Sequence, residues 1–549
     1  MFRIALRSHI TGVLGWGGLL TLLAVVEAGS FTRVAAATPG GRDQLAAGMM
    51  SIAQQTSYLL PNPGHLNTLG GYVGWFLFGY MPLFYGVWAV VAGTAASRGD
   101  EEKGLVDQWL ATGMPRWRLL LVRFAAFAVA VTVATGLPMV VVAAIALGAN
   151  EPLNIGGMIL QGLPGIATSG VCFAIGLLAG QLVATRRNAL GVGMIAVLGL
   201  YLLNGFSRQD ADLKPYRWIS PFAYSDLSDP IVTGGHLDIP GVLVICVMAA
   251  AVLQLAIGAF SNRDLGSTLF GQAKSAHKPM RVADTNPLVR TPVLVSLWDQ
   301  RIGLITWSVA IGLYAAMNIS LVRPFVKFFT SQGTDSVMAA QAKAAFGTGK
   351  SDPYAGFIGA EWYTVACLLL AAFAITQVSR WASDDTEGRV EMTLSAGVPR
   401  WRVIVERVAT LSVAAAILLT FNTIAVHAAA HKNQIDLDVA RVIAASILVI
   451  PMALAFGGLG AVIAAIRPRP AMIALTSVLV ASYMFPLMAV PMFAPHQPPD
   501  WFVNLSVFKL YGVPLTDGTN WPGLWALTAI VAIGFGGAFV AMERREVGR

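Results

Sequence analysis

Two charged segments of the chain have similar sequences and lie 284 positions apart. Residues 100–123 read DEEKGLVDQWLATGMPRWRLLLVR, and residues 384–407 read DDTEGRVEMTLSAGVPRWRVIVER. Both open with carboxylates and close with arginines, which are side chains that form strong charge-assisted hydrogen bonds with partner proteins. A lipid environment keeps a span apolar but does not require this polar pattern twice. We therefore predict that both segments bind the same kind of partner.

Each segment is predicted to form a short amphipathic helix between two membrane spans. Carboxylates suit the start of a helix, where they meet the positive end of its dipole. Gly113 and Pro115 suit a helix stop followed by a new helix start. The alternative is a helix that rests on the lipid surface, but an anionic surface would not favour acidic residues in both copies. The residues predicted to contact the partner are Asp100, Glu101, Glu102, Gly104, Asp107, Trp109, Asp384, Asp385, Gly388, Glu391 and Leu394.

The composition is that of a polytopic membrane protein. Of 549 residues, 56% are hydrophobic and 12% are charged, whereas soluble domains carry about 25% charged residues. Twelve apolar stretches are long enough to be predicted as transmembrane helices. They lie near 10–26, 71–95, 124–147, 157–183, 189–203, 241–260, 302–322, 362–379, 408–429, 442–466, 471–492 and 521–542.

The distribution of lysine and arginine predicts that both termini are cytoplasmic, in a bacterial plasma membrane. Dense basic pairs such as Arg186-Arg187 and Arg544-Arg545 then fall on cytoplasmic segments. Nucleic-acid binding is not expected, because the basic residues are spread over many loops and form no single face. The basic and aromatic residues predicted at the cytoplasmic interface, beside the lipid headgroups, are Arg116, Trp117, Arg118, Arg400, Trp401 and Arg402.

The chain is predicted to be all-α and to consist of two homologous six-helix halves. We place them at 1–270 and 296–549, with a cytoplasmic linker at 271–295. An even number of spans separates the repeats, so the halves have the same orientation. Each half then carries one of the two cytoplasmic helices.

These motifs resemble those of a known transporter family. An acidic residue three positions before a glycine, and then Gly-x-Pro-Arg-Trp-Arg leading into a span, is similar to the coupling helix of type V ABC exporter permeases. Ser220-Pro221-Phe222 before span six and Arg263-Asp264 after it also resemble that family. A single chain with two fused halves resembles the actinobacterial tetronasin and multidrug exporter permeases. Val507 departs from the pattern, because it replaces the proline of Ser-Pro-Phe in the second half.

The resemblance implies ATP-driven export of hydrophobic compounds, such as drugs, antibiotics or lipids. Two copies of a separate ABC ATPase subunit would hold the ATP and magnesium, and this chain would carry no catalytic residue and no cofactor. The sequence agrees, because its nearest P-loop match, residues 344–351, lacks the first glycine and lies in a predicted outer loop. The outer pairs Asp210/Asp212 and Asp436/Asp438 are too short a pattern to indicate a metal site.

The resemblance also points to a substrate path between spans two and five and their counterparts, eight and eleven. Aromatic and methionine side chains there suit varied apolar ligands. For each of these residues taken alone, however, contact with lipid or packing between helices is the simpler interpretation. The path residues are Trp75, Phe76, Tyr80, Tyr201, Asn204, Phe206, Phe373, Gln377, Tyr483, Met484 and Phe485.

Two other function classes remain open. A proton-coupled twelve-span drug carrier would share the span count and the central linker, but such carriers need ionisable residues within the membrane, and no predicted span has Asp, Glu, Lys or Arg in its core. An enzyme that acts on a lipid-linked substrate would need a convergent catalytic set, which the sequence does not indicate.

Overall fold

The computed structural model divides the chain into two compact units, Met1–Pro279 and Met280–Arg549. It describes residues 1–37, 40–55, 57–269, 291–331, 352–467, 471–488, 499, 501 and 505–544. The P-loop-like residues 344–351 and most of the predicted linker lie outside the described residues. Within the described ranges the regular elements are helices, as expected for a chain in lipid, where backbone groups must be satisfied internally.

Six helices in the described part of the first unit are long and apolar enough to cross a membrane. They are α1 (Phe2–Arg33), α2 (Leu69–Glu102), α4 (Arg116–Gly148), α5 (Ile155–Leu182), α6 (Arg186–Phe206) and α8 (Ile239–Ser261). The shorter helices of this unit include Gly41–Gln55, α3 (Leu105–Ala111), the 3-10 helix Lys214–Ile219 and α7 (Pro221–Ser225).

The second unit has five such helices in its described part. They are α9 (Arg301–Arg323), α10 (Pro353–Thr386), α12 (Arg400–Lys432), α13 (Val439–Ile466) and α16 (Trp521–Arg544). The shorter helices of this unit include Pro292–Asp299, α11 (Arg389–Ser395), α14 (Ala471–Met488), α15 (Val507–Tyr511) and Pro514–Asp517.

The chain is therefore a multi-pass, helical membrane protein, with eleven candidate spans in the described residues where the sequence predicts twelve. The difference falls on the predicted span at 471–492. There the apolar helical stretch with described side chains, Ala474–Phe485, is shorter than a span requires, and residues 489–492 lie outside the described ranges. The arrangement of twelve spans in two halves stays a prediction.

Glycines allow the helices inside each unit to approach closely. A Cβ atom at Gly93 of α2 would lie 2.5 Å from the carbonyl oxygen of Phe173 in α5, and one at Gly534 of α16 would lie 2.6 Å from the backbone of Gly458 in α13. Membrane helices associate through such small residues, because lipid tails are as apolar as leucine and provide no hydrophobic drive for helix pairing. These crossings hold α2 against α5 and α13 against α16.

The two units share an irregularity in their second long helix. A π-helical turn interrupts α2 at Gly74–Phe78, and another interrupts α10 at Ile358–Trp362, 284 positions later. Helix α2 has a second π-helical turn at Ala95–Gly99, directly before the charged segment. The corresponding residues, 379–383, lie in the regular α-helix Tyr363–Thr386. The two charged segments therefore follow helices that end differently.

Candidate functional site

The two charged segments adopt the same local structure. In each, a glycine in the left-handed conformation precedes a seven-residue helix: Gly104, with φ 68°, precedes α3, and Gly388, with φ 73°, precedes α11. A Cβ atom at either glycine would meet nothing within 4 Å. Glycine is therefore required here by the backbone conformation, which costs other residues energy, and not by lack of space.

Both short helices also end in the same way. Gly113 and Gly397 each have φ 80°, and the C-terminal turn leads to Pro115 or Pro399. These prolines are extended and form the N-caps of the next long helices, α4 and α12. The shared glycines and prolines thus fix two sharp turns, and each short helix is tied closely to two long ones.

One face of each short helix is anchored, and the other is free. Val106 in α3 and Val390 in α11 are buried, whereas Asp107 and Glu391, both predicted contact residues, are exposed. Beside Glu391, Met392 exposes 67% of its surface. Trp109 and Leu394 are half-buried. The outer faces offer acidic and apolar groups to a partner.

Arg116 and Arg400 hold each segment to the last long helix of its unit. Arg116 Nη1 donates to the carbonyl oxygen of Phe260 at 2.9 Å, at the end of α8. Arg400 Nη1 donates to the carbonyl oxygens of Met542 and Glu543 at 3.0 and 2.6 Å, at the end of α16. The last carbonyls of a helix have no partner within it, so these arginines cap the two helices.

This capping role differs from the headgroup contact that the sequence suggested for Arg116 and Arg400. Arg118 and Arg402 are exposed, and Trp117 and Trp401 expose 51% and 56% of their surfaces. These four side chains are free to contact lipid headgroups, as the aromatic and basic residues of membrane interfaces do.

In the first segment, Glu101 lies inside a network of ion pairs and not at the surface. Its carboxylate accepts from Arg263 at 2.8 and 2.5 Å and from the Gly266 N–H at 2.7 Å. Arg98 Nη1 lies 3.2 Å from the same carboxylate, whose side chain is 6% exposed. Arg263 also donates to Gln181 at 2.8 Å. We call Arg98, Glu101 and Arg263 the buried ion cluster.

The two carboxylates on either side of Glu101 also have partners within the unit. Asp100 forms an ion pair with Arg123 at 2.8 Å. Glu102 accepts from the Arg186 backbone N–H at 2.6 Å, at the start of α6. The acidic start of the first segment therefore joins α2 to α4, α6 and the end of α8.

The second segment begins with more exposed charges. Asp384 pairs with Arg389 at 2.8 Å, and their side chains are 40% and 55% exposed. Arg389 also pairs with Glu387 at 3.0 Å. Asp385 occupies the position of Glu101, but the position of Arg98 is taken by Ala382. Both segments have the same backbone, but they present different charges.

The proline of Ser-Pro-Phe is not needed for the local structure. Ser220 Oγ donates to the Leu200 carbonyl at 2.8 Å and accepts from the Phe222 N–H at 3.3 Å. Ser506 Oγ donates to the Ser482 carbonyl at 2.6 Å and accepts from the Phe508 N–H at 3.2 Å. The serine caps α7 and α15 alike, so Val507 changes no backbone contact.

Several of the predicted path residues in the first unit support loops. Trp75 Nε1 donates to the Pro61 carbonyl at 2.8 Å, and Tyr201 Oη donates to the Leu59 carbonyl at 2.5 Å. Asn204 donates to Asp226 at 2.8 Å. Phe76 is half-buried, with ring contacts to Trp75 and Tyr80, and Phe206 is exposed and stacks on Tyr58.

In the second unit the predicted path residues differ in how deeply they are buried. Phe373 and Gln377 on α10 are buried, and Phe373 contacts Trp307. Tyr483, Met484 and Phe485 on α14 are half-buried. The structure tests none of these residues as a path, so the path stays a prediction.

The sequence places Glu27 and Glu361 outside the predicted spans, whereas both lie inside candidate spans of the structure. Glu27 lies in α1 and accepts from the Tyr72 hydroxyl at 3.0 Å. Glu361 lies in the π-helical turn of α10. Both fall one residue outside the stretches predicted from hydropathy, because the helices extend beyond those stretches. In the described residues no three His, Cys, Asp or Glu side chains converge as a metal site would require.

The second half of the chain has a recognisable family signature. Residues 289–542 match the family model for the C-terminal domain of the multidrug efflux system permease Rv1217c. No curated protein matches the chain. Together with the eleven candidate spans found among the described residues, this match supports a membrane permease that works in efflux.

Proposed function

We propose that this chain is the membrane-spanning permease subunit of an ABC exporter that moves hydrophobic compounds outward. Two copies of a separate ATPase subunit would bind ATP and magnesium and dock on α3 and α11. The observation that carries this proposal is the repeated short helix, with the same left-handed glycines and the same arginine cap in both units.

The geometry of the repeated segment suits the transfer of force. Helix α3 is too short to absorb a displacement by bending, and sharp turns join it to α2 and α4. Arg116 links the start of α4 to the end of α8. A push on α3 would therefore move three long helices together. The same argument applies to α11, through Arg400.

The two docking surfaces differ in charge. In the first segment the carboxylates of Asp100 and Glu101 are held by arginines of the same unit, which leaves Asp107 as the exposed acid of α3. In the second segment Asp384 and Glu391 are both accessible. We expect the ATPase to bind the two segments through unequal contacts, with both segments and both termini in the cytoplasm of a bacterium.

The first experiment is a mild-detergent pull-down of the tagged chain from its native membranes, with mass spectrometry of the proteins that co-purify. The proposal expects a P-loop ATPase at about two copies per chain. Recovery of no ATPase, under conditions that preserve other membrane complexes, would contradict it.

Charge reversal then tests the docking surface itself. Asp107→Arg and Glu391→Arg change exposed acids of α3 and α11, whereas Asp212→Arg and Asp436→Arg change exposed acids of loops and serve as matched controls. The first pair is expected to lower ATPase recovery and transport, and the control pair to leave both unchanged. Equal recovery from all four variants would mean that α3 and α11 are not the docking sites.

A proton-coupled drug carrier is the second candidate, because Glu27 and Glu361 lie within candidate spans. Intramembrane carboxylates are the residues that proton-coupled carriers use. Efflux that collapses with the proton gradient, resists vanadate and is lost in Glu27→Gln or Glu361→Gln would favour the carrier. Efflux that is blocked by vanadate and survives both substitutions would favour the ATP-driven exporter.

A further inference from the structure

A cavity of about 660 Å³ lies in the first unit, where the beginning of α1 faces the end of α2 that leads into α3. Ligand pockets typically have volumes of about 300–1,000 Å³. Helix α1 contributes Ile4, Ser8 and Gly15, which recur at helical spacing along one side. Leu105 and Trp109 of α3 close the cavity next to the charged segment.

The walls of the cavity are largely apolar and aromatic. Trp16, Trp88 and Trp109 line it together with Val91. The indole of Trp88 covers Gly12, where a Cβ atom would overlap its ring. Helices α1 and α2 thus touch at Gly12 and leave a gap on one side of this contact. An acyl chain would bury apolar surface there, which a small hydrated anion cannot do.

The polar part of the cavity carries excess positive charge. Lys103 and Arg186 line it, and neither side chain forms an ion pair within the described part of the chain. Asp100 is the one carboxylate among the lining residues, and Arg123 neutralises it at 2.8 Å. Glu102 binds the Arg186 backbone N–H and does not line the cavity.

We infer that this cavity binds an anionic membrane phospholipid, with its phosphate between Lys103 and Arg186 and an acyl chain along Trp16 and Trp88. Apolar walls beside two unpaired cations match an anionic amphiphile. A zwitterionic lipid would bring its own positive charge to the same place. The inference depends on the membrane setting of α1 and α2 and does not require an ATPase.

A lipid in this position would contact α1, α2 and α3 at once. Leu105 and Trp109 belong to the short helix on which the ATPase is proposed to dock. Occupancy by an anionic lipid would therefore brace that helix against α1. Lipid binding can be measured on the purified chain alone, so its failure is distinguishable from failure of the exporter proposal.

The test is a titration of the purified full chain, in detergent, with dibrominated phosphatidylglycerol and dibrominated phosphatidylcholine, read by quenching of tryptophan fluorescence. Gly15→Phe should fill the cavity, because a Cβ atom at Gly15 meets nothing within 4 Å. Gly18→Phe is the matched control, because Gly18 is equally open but does not line the cavity. Gly15→Phe should weaken phosphatidylglycerol binding at least about tenfold, because the acyl chain would lose part of the apolar surface that it buries in the cavity. Gly18→Phe should leave the binding unchanged.

Charge variants keep the test decisive if Gly15→Phe fails to fold. Lys103→Gln and Arg186→Gln should each weaken phosphatidylglycerol binding on the order of fivefold and leave phosphatidylcholine binding unchanged. Arg187→Gln, an exposed neighbour outside the cavity, is the control. Equal quenching by the two lipids in the unmodified chain would overturn the inference. Binding of oleate but not of phosphatidylglycerol would also overturn the inference.

Discussion

Replacement of Glu101 by glutamine should destabilise the first unit strongly, even though Glu101 lies in a segment predicted to serve docking. The carboxylate is the shared partner of Arg98 and Arg263, whose side chains are each 2% exposed. Glu101→Gln removes the negative charge and leaves two buried cations without their counterion. Breaking a buried ion pair by removal of one partner costs about 3–5 kcal/mol.

The matched control is Asp384→Asn in the second segment. Asp384 pairs with Arg389, and both side chains are about half exposed. Exposed ion pairs contribute roughly 0–1 kcal/mol. The same chemical change, carboxylate to amide, is thus expected to differ severalfold in cost between a buried and an exposed ion pair at the start of the two segments.

The assay is thermal unfolding of the purified chain without ATPase, followed by tryptophan fluorescence. At roughly 2–4 °C per kcal/mol for domains of 150–250 residues, Glu101→Gln should lower the midpoint by at least about 6 °C. Asp384→Asn should lower it by no more than about 4 °C. A midpoint within about 1 °C of the unmodified chain for Glu101→Gln, or equal losses in both variants, would refute the buried ion cluster as a source of stability.

Three further substitutions test the local geometry by the same thermal assay. Gly388→Ala forces a side chain into the left-handed region and should lower the free energy of unfolding by about 1–2 kcal/mol. Gly258→Ala, in a regular helix with open space around it, should not lower the free energy of unfolding. Equal effects of the two substitutions would contradict the conformational argument. Arg116→Met should cost about 1.5–3 kcal/mol by removing charged hydrogen bonds to the end of α8, and an unchanged midpoint would argue against the cap. Gly93→Ala should lower the midpoint more than Gly136→Ala, because only the first places a Cβ atom against a backbone carbonyl; the reverse order would exclude a tight α2–α5 crossing.

The backbone of the charged segments was the most predictable part of the site. Gly113 and Pro115 indicate a helix stop and a new helix start from residue type alone, and both were found there. These signals are local, because φ preference and the missing proline N–H act within a few residues. The repeat itself could also be predicted from the sequence, because its two copies align at a constant offset.

The partners of the charged side chains could not be predicted in the same way. Glu101 meets Arg263, which is 162 positions later, and Arg116 meets Phe260, which is 144 positions later. Nothing near Glu101 or Arg116 in the sequence indicates these contacts, since they depend on how the ends of α2 and α4 pack against the end of α8. The ends of the spans were also misjudged by hydropathy, which is why Glu27 and Glu361 were placed outside them.

The π-helical turns bear on the history of the chain. A π-helical turn accommodates one residue more than the α-helix around it, and Gly74–Phe78 and Ile358–Trp362 stand at the same distance from their charged segments. If the two predicted halves arose by duplication of one unit, a single insertion before the duplication would account for both turns. The turn at Ala95–Gly99 has no counterpart at 379–383, although the same number of residues separates the shared turn from the charged segment in both copies. It therefore reflects a different winding of equally long stretches and not an inserted residue.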